Sequence, residues 1–68
     1  MTTNDKPELT TEIVTKLINE LGGYAQLAVR MEVSESAIRR WEKNTEKGIS
    51  AANRRELIRL AKLYKLFD

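Results

Sequence analysis

The sequence predicts an all-α, compact domain of four helices. Apolar residues recur at helical spacing in four separate stretches, and no stretch alternates with the period of two that marks a strand. Capping residues, glycines and short polar segments punctuate the stretches. The chain has 68 residues, which suits one domain. A domain this small buries only about 60% of the surface its unfolded chain exposes, so its core is thin. No internal repeat or low-complexity segment is present.

Residues 1–8 are polar, with the single proline, Pro7, near their end, and are expected to form a flexible tail ahead of a domain spanning 9–68. The first helix is expected over Thr11–Leu21. Thr10 or Thr11 can cap it, because a threonine oxygen accepts from a free N–H of the first turn. Ile13, Val14, Leu17, Ile18 and Leu21 form its apolar face. Gly22 and Gly23 end it, since glycine tolerates the left-handed conformation common at a helix C-terminus. The second helix covers Tyr24–Met31, with Leu27, Ala28 and Met31 turned inward. Glu32, Val33 and Ser34 interrupt the pattern, and Ser34 caps a third helix from Glu35 to about Lys43. Residues 44–49 are polar, contain Gly48 and are expected to form a loop. Ser50 then caps a fourth helix reaching about Leu66. Its stripe is Leu57, Leu60, Ala61 and Tyr64; Ile58, Leu63, Leu66 and Phe67 widen it beyond one buried face.

The composition excludes several classes. There is no cysteine and no histidine. Disulfides, thiolate metal sites, the commonest zinc ligand and the commonest general base are therefore absent. With no clustered carboxylates and no glycine-rich phosphate loop, no catalytic arrangement is visible, and no cofactor, metal or small-molecule ligand is expected. No apolar run approaches the roughly 20 residues that span a bilayer. Residues 1–8 lack the apolar core of a signal peptide, so the expected location is cytoplasmic.

The net charge is only +2, but it is polarised. Residues 1–38 hold three basic and six acidic side chains, a balance of −3. Residues 39–65 hold nine basic and three acidic ones, a balance of +6. Such asymmetry suits a polyanionic partner. A solvated helix face produces the same pattern, so charge alone does not choose between the two.

The short helices on either side of Glu32–Ser34 narrow the choice. Leu27, Ala28, Met31, Val33, Ile38 and Trp41 supply small or apolar groups where two steeply crossed helices would touch. Ala28 permits close approach, Val33 plugs the turn, and Ile38 and Trp41 hold the third helix down. The stretch Tyr24–Glu42 resembles the helix-turn-helix of the lambda repressor and Cro-like (XRE) family. Its apolar-Ala pair Leu27-Ala28, its Val33-Ser34 turn, and Ile38 followed by Trp41-Glu42 carry the resemblance, which extends from Gly22 to Tyr64. One position departs: Glu32 stands where the family often has glycine in a positive-φ turn, at a cost on the order of 1 kcal/mol.

The resemblance implies a lambda repressor-like fold and a DNA-binding transcriptional regulator, expected to be a repressor acting on a double-stranded operator as a homodimer. On the third helix Glu35, Ser36, Arg39, Arg40 and Lys43 share a face opposite Ala37, Ile38 and Trp41. A helix with polar groups along one face can enter the major groove, about 12 Å wide. Arginine offers a fork to guanine O6 and N7, glutamate accepts from cytosine N4, and serine bonds either. Glu35, Ser36, Arg39 and Arg40 are thus the expected base contacts; Arg39 can instead pair with Glu35 four residues away. The N-terminus of the second helix favours an anion, which nominates Gly23, Tyr24 and Gln26 for phosphate. Lys43, Asn44 and Lys47 follow the third helix and are nominated likewise, with Arg54 and Arg55 as further candidates. Trp41 is expected in the core, and Glu42 as a partner of a backbone or basic group. Ile58, Leu63, Leu66 and Phe67 are the candidate dimer surface, unless they complete the monomer core. The competing function is an antitoxin or adaptor that turns the same fold toward a protein.

Overall fold

A computed structural model describes residues 8–67. They form four helices and, among the described residues, no strand: α1 (Thr11–Leu21), α2 (Tyr24–Met31), α3 (Glu35–Lys43) and α4 (Ala51–Leu63). Residues 1–7 of the expected tail lie outside this range; Glu8 is exposed and irregular.

Three helices begin at hydroxyl caps. The Ile13, Ala37 and Asn53 amides donate to the side-chain oxygens of Thr10, Ser34 and Ser50 at 3.1–3.2 Å. Each cap satisfies an N–H that the helix itself leaves without an acceptor.

The helix ends are alike in form but not in residue. After α1, Gly22 is left-handed, and the Gly22 and Gly23 amides donate to the Asn19 and Ile18 carbonyls. After α2, Glu32 takes the left-handed position at φ 61°, and the Val33 amide donates to the Ala28 carbonyl. After α4, Lys65 does so at φ 59°, and the Leu66 amide donates to the Ala61 carbonyl. All three are Schellman closures, which return orphan carbonyls to hydrogen bonding. The last one corrects the expected extent of α4. The helix stops at Leu63 rather than Leu66, because Lys65 reverses the chain and brings Leu66 and Phe67 back against the core.

Packing follows the apolar faces. α1 contacts the other three helices, and α2 packs chiefly on α3 and α1. Val14 and Leu17 of α1, Leu27 of α2, Ile38 of α3, and Leu57 and Leu60 of α4 are wholly buried. Burial of each such side chain is worth about 1.5–3 kcal/mol before entropy is counted. Ala28 is buried and Val33 packs half-buried at the α2–α3 turn. Among the described residues no helix is long and apolar enough to cross a membrane.

The segment between α3 and α4 is tied down by polar groups. The Thr45 hydroxyl, buried, donates to the Leu9 carbonyl at 3.2 Å. The Arg54 guanidinium donates to the Thr45 carbonyl, and Trp41 Nε1 to the Gly48 carbonyl at 3.3 Å. Trp41 is only 2% exposed, as its apolar spacing predicts. Arg54 is therefore half-buried and engaged within the chain rather than displayed.

Candidate nucleic-acid interface

α3 carries its two kinds of residue on opposite sides. Ala37, Ile38 and Trp41 are buried against α1 and α2. Glu35, Ser36, Arg39, Arg40 and Lys43 are all exposed. The 3.6-residue period causes this: positions three or four apart return to one side of the helix. The exposed side divides further into two parallel rows. Glu35, Arg39 and Glu42 form one, at spacings of four and three; Ser36, Arg40 and Lys43 form the other at the same spacings.

The first row is engaged with itself and with α2. The Tyr24 hydroxyl donates to Glu42 Oε1 at 2.6 Å. The Arg39 guanidinium lies over the Tyr24 ring, 4.4 Å from its centroid, in a cation–π contact. Arg39 also approaches Glu35 at 3.6 Å, with side chains about half exposed. The hydrogen bond to Glu42 holds the Tyr24 phenol above its ordinary ionisation range, because losing the proton would set two anions together; burial adds to the effect, and Arg39 opposes it. Glu42 thus has a phenol as partner, where a backbone or basic group was expected. Three residues from α3 and the first residue of α2 make one connected edge.

The second row has no such ties. Among the described residues, the Ser36, Arg40 and Lys43 side chains form no hydrogen bond or ion pair within the chain.

The nominated phosphate positions differ in availability. The Gly23 amide is occupied by the Ile18 carbonyl at 2.8 Å, and no side chain caps α2. The free donors at this helix end begin at Tyr24, and Gln26 is exposed beside them. Lys43 and Lys47 are exposed. Asn44 is exposed too, but its Oδ1 accepts from the Glu46 amide at 2.7 Å, which orders the turn after α3. Arg55 is exposed on α4.

Of the apolar residues nominated for pairing, Ile58, Leu66 and Phe67 are half-buried and pack on the core. Leu63 stands out, 58% exposed. Val29 on α2 is 76% exposed, although it was not singled out from the sequence.

Contacts that escaped sequence reasoning include Tyr24 to Glu42, Arg39 to Tyr24, Thr45 to Leu9, Arg54 to the Thr45 carbonyl and Trp41 to the Gly48 carbonyl. The i, i+4, i+7 spacing of Glu35, Arg39 and Glu42 places the three in one row of α3, but that the row meets Tyr24 depends on how α2 and α3 pack. Nothing in the local sequence distinguishes Thr45 from other polar loop residues.

No protein-family model matches the chain, and neither the curated proteins nor the solved structures include a match to it.

Proposed function

We propose that this chain is a sequence-specific DNA-binding regulator, a repressor of the lambda and Cro-like type. In this reading α2, the Glu32–Ser34 turn and α3 act as a helix-turn-helix, with α3 entering the major groove. The observation that carries the reading is the division of α3 into a clamped apolar side and an exposed basic and polar side. A helix held down by Ile38 and Trp41 presents Arg40 and Ser36 at fixed positions, and a fixed donor set is what base discrimination needs. The uncapped α2 N-terminus, with Lys43 at the end of α3 and Lys47 beyond it, supplies the phosphate contacts that set register.

One such helix covers few base pairs. Repressors of this geometry use a two-fold pair to span half-sites about 34 Å apart. Of the residues nominated for that pairing Leu63 is the most exposed, with Ile58, Leu66 and Phe67 half-buried. Occupancy of an operator then excludes polymerase.

Selection of duplexes from a random pool tests the reading. The wild type is expected to enrich one sequence, with a two-fold arrangement. Arg40→Ala is expected to lose about 1–3 kcal/mol and to relax choice at one base position. Lys43→Ala is expected to weaken all sequences alike and to lower the salt slope by about one. Failure of the wild type to enrich any sequence, alongside capture of a tight protein partner, would overturn the reading in favour of an antitoxin or adaptor.

A further inference from the structure

The two exposed rows of α3 are not equivalent, and both contain an arginine. Arg40 is unattached among the described residues, whereas Arg39 is held on two sides. Its guanidinium rests on the Tyr24 ring, and the ring is fixed at its far end by the bond from its hydroxyl to Glu42. On its other side Arg39 approaches the Glu35 carboxylate at 3.6 Å. The four groups form a chain running Glu42, Tyr24, Arg39, Glu35 along the edge of α3 that faces α2.

Each link has a consequence. The Glu42 anchor restricts rotation of the Tyr24 ring. The ring face attracts the cation and orients its plane. The planar guanidinium then sits beside Glu35, which a flexible ammonium would do less specifically. For Glu35, this partner offsets the negative charge that a carboxylate brings toward a polyanion, and biases its orientation. Glu35 also lies in the first turn of α3, where the helix dipole favours an anion. A carboxylate ion-paired in this way is a hydrogen-bond acceptor suited to an exocyclic amine, which cytosine N4 presents in the major groove.

We infer that Arg39 is a positioning residue and not a base reader: stacked on an anchored Tyr24, it sets Glu35 to accept from a cytosine amine, while Arg40 in the neighbouring row contacts a different base pair. This rests on the DNA-binding reading above and assigns separate tasks to two arginines that the sequence makes look alike.

The test is pool selection with Arg39→Ala, Glu35→Gln, the double variant and Arg40→Ala, each confirmed folded by circular dichroism. Arg39→Ala is expected to relax choice at the same position as Glu35→Gln, by on the order of tenfold. In the double variant the loss should equal that of Glu35→Gln alone, because Arg39 acts through Glu35. Arg40→Ala should relax another position. Tyr24→Phe keeps the ring but loses the anchor, and is expected to give a smaller loss at Glu35's position. A merely structural role for Arg39 would weaken every sequence without changing choice at any one position, and that result overturns the inference. So does a position of choice belonging to Arg39 alone, which would make it a reader. Both results leave the DNA-binding reading intact. Absence of any sequence preference in the wild type removes that reading, and this inference with it.

Discussion

α3 and α4 are both rich in arginine and lysine, yet they use the charge differently. On α4, Arg54 reaches inward to the Thr45 carbonyl and Arg59 closes on Glu56, 2.7 Å away along the same helix. On α3, Arg39 is stacked on Tyr24, while Arg40 and Lys43 stand unattached among the described residues. The excess of positive charge over residues 39–65 therefore overstates what is displayed. Charge counts locate a basic region; the contacts decide which cations are free for a partner. The buried sides differ as well. α3 inserts Ile38 and Trp41, whereas α4 contributes Leu57, Leu60 and Ala61 and leaves Leu63 outside.

The strongest test of this contrast is truncation on the two sides of α3. Ile38→Ala is expected to cost about 2–5 kcal/mol in urea unfolding, since it empties a wholly buried site. Ser36→Ala, on the exposed side, should stay within about 0.5 kcal/mol. Equal costs would mean that the two sides are not distinct.

Next comes the comparison of Arg54 with Arg40. Arg54→Ala removes a charged donor from the Thr45 carbonyl and is expected to destabilise by about 1.5–3 kcal/mol. Arg40→Ala should leave the thermal midpoint nearly unchanged. A midpoint insensitive to Arg54→Ala would show that the loop before α4 is held by Thr45 and Trp41 alone.

The helix ends offer a smaller effect of opposite sign. A non-glycine residue in the left-handed region costs about 1–2 kcal/mol. Glu32→Gly and Lys65→Gly are each expected to raise stability by about 1 kcal/mol, less the extra entropy that glycine loses on folding. Ser34→Ala, at the other end of the same turn, should lower it by about 1 kcal/mol. A fall in the midpoint for Glu32→Gly would show that the Glu32 side chain and the entropy glycine loses together outweigh the backbone cost.

The smallest effect concerns alkaline pH. Tyr24 is held above its ordinary value of 10.0 by its bond to Glu42. Stability from a raised group is fully present below the unfolded value and is lost as pH rises through the higher folded value. The wild type should therefore lose stability above pH 10.0 more steeply than Glu42→Gln, measured by thermal melts in a Tyr64→Phe background. Spectroscopic titration of the single remaining phenol should show its ionisation at lower pH in Glu42→Gln. Coincident curves would mean that the Tyr24 to Glu42 bond does not persist in solution.

Most of the helical layout was legible without coordinates. Ser34 and Ser50 marked two starts, the first was narrowed to Thr10 or Thr11 and the structure chose Thr10, and the apolar spacing selected the buried side of each helix. These signals act within about four residues, the reach of a helical turn, so they are printed in the sequence itself. The tertiary structure alone decided that Tyr24 meets Glu42 across 18 positions, that Thr45 meets Leu9 across 36, and that Lys65 folds the last residues back onto the core. Those pairings depend on where whole helices lie relative to one another. That placement comes from the summed packing of apolar surfaces, which no local pattern records.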